Sequence, residues 1–319
     1  RIEVFPVQYN RLEKRWLNFW ELIDPPGSSR TVVERFTKFD GATTYQKHCA
    51  PCHTSQLRMT DLDSGSPADV LFREPGVNCE MCHGPSEQHA ASREAGRTPP
   101  RQPADPPVDF RKLDAPAYVG ICAQCHRQSS IFRQGPRGEM NYSGKQQDFL
   151  SRASSRPFLE FSRKAFYRDG RFRESTFIVE SLERSRCFQV GGTHCGHCHD
   201  PHPEKPETNP TSLKYPDDPD RMCLPCHSSV GDDIAGHTHQ KVDSSGSRCV
   251  NCHMPKLMNS LLFRARTHTI DDIPDPALTL RFGQRESPNA CLECHAQKNP
   301  GWVREVSERW WGWKGTAIE

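Results

Sequence analysis

The sequence predicts a mostly irregular fold, in which short α-helices and turns wrap something other than a side-chain core. Three observations carry that expectation. Only 34% of the 319 residues are hydrophobic and the mean hydropathy is -0.78, too polar for a chain of this length to bury one or more ordinary cores. The 27 prolines and 21 glycines cut regular structure into short pieces. Fourteen of the fifteen cysteines fall in seven copies of one pattern, Cys-x-x-Cys-His.

The copies stand at Cys49/Cys52/His53, Cys79/Cys82/His83, Cys122/Cys125/His126, Cys195/Cys198/His199, Cys223/Cys226/His227, Cys249/Cys252/His253 and Cys291/Cys294/His295. Each reads as an attachment site for a c-type haem: the two thiols form thioethers with the porphyrin, and the next imidazole reaches the iron. Zinc knuckles also use Cys-x-x-Cys, but they need a second pair at a suitable distance and leave the recurring His unexplained. A disulfide framework fails on the same His, and adjacent Cys-x-x-Cys pairs make poor structural bridges. The expected cofactor content is seven covalently bound haem c groups, stacked closely enough to replace the missing apolar interior. At about 46 residues per haem, a protein-only core is expected only in the longest gap between motifs.

The first cysteines of successive motifs are 30, 43, 73, 28, 26 and 42 residues apart, which divides the chain. A helical N-terminal segment is expected over 1–40, a three-haem cluster over 41–126, a haem-free Phe/Arg-rich insert over 127–193, a four-haem cluster over 194–295 and a Trp-rich C-terminal helix over 296–319. In the first segment Leu12, Trp16, Phe19, Trp20 and Ile23 share a helical face, with Asn10 as N-cap. In the insert, residues 167–172 read as a hairpin turn and 176–180 as a short strand, a minor β element. The proline-rich stretches 98–107 and 201–219 read as extended connections. Trp302, Val303, Val306 and Trp310 recur at helical spacing, so both chain ends carry tryptophan stripes, expected to cover the outermost haems.

Eight of the fifteen histidines lie outside the motif positions: His48, His89, His194, His197, His202, His237, His239 and His268. Seven irons need seven distal ligands, so these side chains are expected to serve as a set. His197 is excluded because it sits inside its own attachment loop. His237 and His239 alternate, so in an extended segment both would face one way and only one would ligate. Six methionines, among them Met254 and Met258, are weaker thioether alternatives. Cys187 is left over and reads as a buried thiol, with an intermolecular bridge or an iron ligand as the other options.

The runs Cys79-Glu-Met-Cys-His-Gly-Pro-Ser-Glu-Gln-His89, Cys195-Gly-His-Cys-His-Asp-Pro-His202 and Cys249-Val-Asn-Cys-His-Met-Pro255 with His268 resemble a multihaem superfamily. It contains the tetrahaem cytochrome of ammonia oxidisers, hydroxylamine oxidoreductase and pentahaem nitrite reductase. The region from Phe172 to His295 is similar to multihaem cytochromes often fused to tetratricopeptide repeats. The resemblance implies distal-ligand roles for His89, His202 and His268. It does not extend to a Cys-x-x-Cys-Lys haem or a cross-linking Tyr, neither of which is marked here.

The function expected is electron transfer along bis-histidine haems, with no catalytic residues; the alternative is an oxidoreductase reducing a small nitrogen or sulfur oxyanion at one open haem. Formal charge is +2 with no basic run, which excludes a nucleic-acid partner. With one net negative charge per oxidised haem, the loaded chain should sit near about -5. The expected partners are other redox proteins or copies of itself in a conducting homopolymer. No transmembrane stretch is present, and thioether chemistry implies export to the periplasm or cell exterior with a signal peptide removed.

Overall fold

The computed structural model describes residues 7–11, 14–18, 45, 49–55, 58–60, 69–94, 108–127, 133–134, 140–141, 165–260, 264–270 and 275–313. His48, Leu12, Phe19, Trp20, Ile23 and the stretch 98–107 lie outside them. The chain divides into two compact units, Arg1–Leu150 and Ser151–Glu319.

The first unit opens with an antiparallel hairpin, β1 (Val7–Asn10) and β2 (Arg15–Asn18). Helix α1 (Ala50–His53) runs into β3 (Thr54–Ser55), followed by β4 (Arg58–Thr60), β5 (Asp69–Leu71) and β6 (Glu74–Pro75). β3 pairs with β6 and β4 with β5, nesting one two-stranded ladder inside the other. Helices α2 (Glu80–His83), α3 (Glu87–Arg93) and α4 (Ala115–His126) come next, then the ladder of β7 (Arg133–Gln134) and β8 (Met140–Asn141). Asp114 caps α4, its carboxylate accepting from the Ala117 amide at 2.8 Å, with a proline in the first turn.

At Val7–Asn10 and Arg15–Asn18 strands stand where the expected N-terminal segment was helical. Trp16 lies directly opposite Tyr9 across β1 and β2, with ring centroids 5.2 Å apart, and this cross-strand aromatic pair outweighs the helical periodicity of its neighbours. The Trp16 side chain is 68% exposed.

The second unit contains α5 (Ile178–Glu183), α6 (Arg186–Gln189), α7 (Cys195–Cys198), α8 (Ser228–Gly231), α9 (Ile234–Thr238), α10 (Cys249–His253), the paired strands β9 (Met258–Asn259) and β10 (Arg264–Ala265), α11 (Pro276–Phe282), α12 (Ala290–Cys294) and α13 (Pro300–Trp311). Its side-chain core is small and sits in the haem-free insert: Ala165, Phe172 and Phe177 with Met258, flanked by Phe166, Ile178 and Ala265. The Phe172 and Phe177 rings stack at 4.8 Å. The expected turn over 167–172 is present. The Tyr167 amide donates to the Arg171 carbonyl, Gly170 has φ +84°, and Phe166 bridges Phe172. Asp169 receives Arg171 through Nε and Nη2 and also accepts from the Ser287 hydroxyl, tying this turn to α11 and α12.

The expected strand over 176–180 is instead a 3-10 turn, Ser175–Phe177, running into α5. A run of three apolar residues does not distinguish strand from helix. Here Phe177, Val179 and Leu182 are all buried along the helical path.

Candidate haem-binding sites

All seven motifs adopt one local geometry. In five of them the histidine amide donates to the carbonyl of the first cysteine: His53 to Cys49 at 2.9 Å, His83 to Cys79 at 2.9 Å, His199 to Cys195 at 2.8 Å, His227 to Cys223 at 3.0 Å and His295 to Cys291 at 2.9 Å. The other two motifs lie within α4 and α10. One helical turn thus brings the cysteines at i and i+3 and the imidazole at i+4 to the same side, the disposition a porphyrin edge and its iron require. Most of the fourteen thiols are half-buried, and Cys79, Cys226 and Cys294 are exposed.

Ring nitrogens separate the histidines into two groups. His83 Nδ1 donates to the Val108 carbonyl at 3.0 Å, His199 Nδ1 to the Thr211 carbonyl at 2.8 Å and His268 Nδ1 to the Arg266 carbonyl at 3.1 Å. A carbonyl only accepts, so Nδ1 carries the proton and the Nε2 lone pair is left for a metal. His194 is the opposite case: its Nδ1 accepts from the Gly196 amide at 3.2 Å, capping α7, while His197 Nδ1 accepts from the His194 amide at 3.1 Å. Burial, with His197 and Lys214 nearby, pushes the His194 imidazole below its ordinary value and keeps it neutral. Its proton therefore sits on Nε2. Ligation through Nε2, as expected for His194, would require this cap to be released.

Two pairs of rings face each other at a distance that fits a shared iron. His199 and His268 have centroids 6.3 Å apart with planes 20° from parallel, and His237 and His253 stand 6.1 Å apart at 16°. Two imidazoles trans on one metal, each nitrogen about 2 Å from it, place their centroids about 6 Å apart. Direct ring-on-ring packing would be closer. Each pair joins a motif histidine to a histidine from outside the motifs.

His237 and His239 do not lie in an extended segment, contrary to expectation. Helix α9 ends at Thr238 with His237 in its last turn, and His239 follows with φ +53°. His239 stacks on Trp310 at 5.0 Å. His89 is half-buried on α3, and His202 is exposed with its amide donating to Asp200 Oδ1 at 2.9 Å. Met258 is wholly buried in the side-chain core, which removes it as a ligand alternative.

Motifs distant in sequence converge. Cys52 Sγ donates to the Cys125 carbonyl at 3.7 Å, and Cys125 Sγ lies 4.0 Å from the Cys52 carbonyl. The side-chain bond between these thiols holds Cys52 down at about 7 and raises Cys125. In the second unit Cys223 bonds Cys249, Cys198 lies near Cys187 and Cys223, and Cys252 lies near Cys291 and Cys294. The fourth to seventh motifs are therefore neighbours in sequence order. Cys187, on α6, is a half-buried thiol beside the fourth and fifth motifs.

Several supporting residues carry no local sequence signal. The buried Ser181 hydroxyl on α5 accepts the His268 amide at 3.0 Å, so the haem-free insert holds a candidate ligand in place. Arg266 Nη1 donates to the Val250 and Met254 carbonyls at 2.6 and 2.9 Å, and its Nη2 to Asn251 Oδ1 at 2.8 Å, gripping the end of α10. Buried Asp220 accepts from the Cys249 amide at 3.0 Å at the other end. Their partners are far away in sequence.

Residues 15–84 match the family described as "Cytochrome c554 and c-prime". The outer cell wall cytochrome OcwA shares the fold, with a TM-score of 0.59 at 18% identity over 97% of this chain and 69% of that one. The undecahaem cytochrome from the S-layer of Carboxydothermus ferrireducens aligns with a TM-score of 0.44 at 17% identity, over 96% of this chain and 50% of that one. A comparison with the curated proteins finds no match. The fold, mostly irregular with short helices and small antiparallel ladders, is thus one found in a cytochrome. Among the described residues no helix is long and apolar enough to cross a membrane.

Proposed function

We propose that this chain is a heptahaem c-type cytochrome that relays electrons, with bis-histidine ligation wherever a second imidazole faces a motif histidine. The observation that carries this reading is the recurrence of the facing pair, His199 with His268 and His237 with His253, at the spacing of a shared metal. The fourteen motif cysteines would hold the porphyrins. His53, His83, His126, His199, His227, His253 and His295 would supply the proximal nitrogens. Bound haem c supplies a one-electron ferric/ferrous couple. The chain's own part is to orient ligands: each carbonyl facing an Nδ1–H fixes the tautomer, strengthens the opposite nitrogen as a donor and resists ring rotation during electron exchange. Export, redox partners and self-assembly through the aromatic ends belong to the same reading.

Intact mass and magnetic circular dichroism test it together. The mass should exceed that of the polypeptide by seven haems, and the resting ferric protein should be predominantly low-spin. A large high-spin fraction that responds to nitrite or hydroxylamine would replace the relay with oxyanion reduction at an open haem.

A further inference from the structure

Helix α13 is capped at one end by Asn299, whose side chain accepts from the Trp302 amide at 3.0 Å, and ends on Gly312 in the left-handed region. Val303 and Val306 bury its inner face, and the helix packs on α11 and α12. Its tryptophans meet two motif regions. Trp302 lies 5.0 Å from the His295 ring. About 12 Å further along the helix, Trp310 and Trp311 close on the end of α9, where His237 and His239 lie. Trp310 lies flat against the His239 ring at 5.0 Å and 17°, and Trp311 meets the same ring edge-on at 5.8 Å. Trp311 Nε1 donates to the carbonyl of His237 at 2.8 Å.

These contacts divide the labour between the two histidines. Both are exposed and two residues apart, and by composition alone either could reach an iron. We infer that Trp310 and Trp311 are positioning residues that select His237 as the imidazole facing His253 and withhold His239. Trp310 occupies the His239 ring face, while Trp311 anchors the backbone from which His237 projects toward His253, 6.1 Å away. The C-terminal helix thereby sets the ligand of the sixth motif as well as covering the seventh. The inference rests on the reading of Cys249/Cys252/His253 as a haem site.

Single variants of the full-length, haem-loaded protein test it. His237→Ala should convert one haem in seven to a high-spin or exogenous-ligand-binding form, whereas His239→Ala should leave the low-spin count unchanged. Trp311→Phe, which keeps an aromatic ring but loses the donor, and Trp310→Ala should each retain all seven haems by mass while altering one low-spin signal. The opposite result for the two histidines, the same conversion in both, or tryptophan variants with spectra identical to the parent would overturn the selection. Peptide mapping of the parent that finds no haem on Cys249 and Cys252 would overturn the underlying reading and this inference with it.

Discussion

The imidazoles of His199 and His268 face each other with 6.3 Å between centroids, each with Nδ1 turned to a backbone carbonyl. One comes from a motif and the other from a loop 69 positions on, held there by Ser181. On the relay reading, His268→Met should raise the reduction potential of one haem and leave the other six within error, because a thioether stabilises the ferrous state relative to an imidazole. Potentiometric titration followed optically measures it.

Arg266 stands next to this pair but acts on α10. Removing its side chain in Arg266→Ala strips three hydrogen bonds from Val250, Met254 and Asn251, and should cost on the order of 2 kcal/mol in a denaturant titration. Arg266→Lys should recover little, since an ammonium cannot span three acceptors as a fork does. The carbonyl that holds His268 belongs to the backbone of Arg266, so the fourth-motif spectrum should be preserved in both variants.

Phe172 anchors the protein-only core, packed on Phe177 and carrying the Arg184 guanidinium over its face at 4.0 Å. Phe172→Ala should destabilise the second unit by about 3–5 kcal/mol. Thermal unfolding should shift downward while haem spectra at low temperature stay unchanged.

Asp109 binds Arg111 through side chain and backbone, which holds its carboxyl down at about 2 and organises the turn placing Phe110 against the His83 ring. Its folded value is depressed, so the stabilisation is complete above the ordinary carboxylate value of about 4 and is lost as pH falls toward about 2. Asp109→Asn should lower stability at neutral pH slightly and flatten the acid limb, because the contribution it removes is the one present above about pH 4. Circular dichroism as a function of pH checks this.

Motif geometry was readable because the spacing of Cys, Cys and His is itself one helical turn. The 167–172 hairpin and α13 were readable because Asp169-Gly170, Asn299-Pro300 and Gly312 are local stop and start signals. Residues 176–180 misled because a short apolar run fits strand or helix, and burial of Phe177, Val179 and Leu182 decides the matter through distant partners. Trp16 misled because its true neighbour is Tyr9 across a turn. Histidine pairing was beyond reach for the same reason: His268 and His237 meet His199 and His253 only after the chain has folded, and the cap that occupies His194 shows only in its ring nitrogen.

The crowding of thiols has a consequence for biogenesis. In the closed chain Cys52 and Cys125 lie against each other, Cys223 bonds Cys249, and burial pushes Cys291 up to about 11, leaving it protonated and poorly nucleophilic. A tetrapyrrole has to approach both sulfurs of a motif along one edge, so attachment requires these paired thiols to part. Cofactor insertion therefore belongs before neighbouring motifs pack on one another.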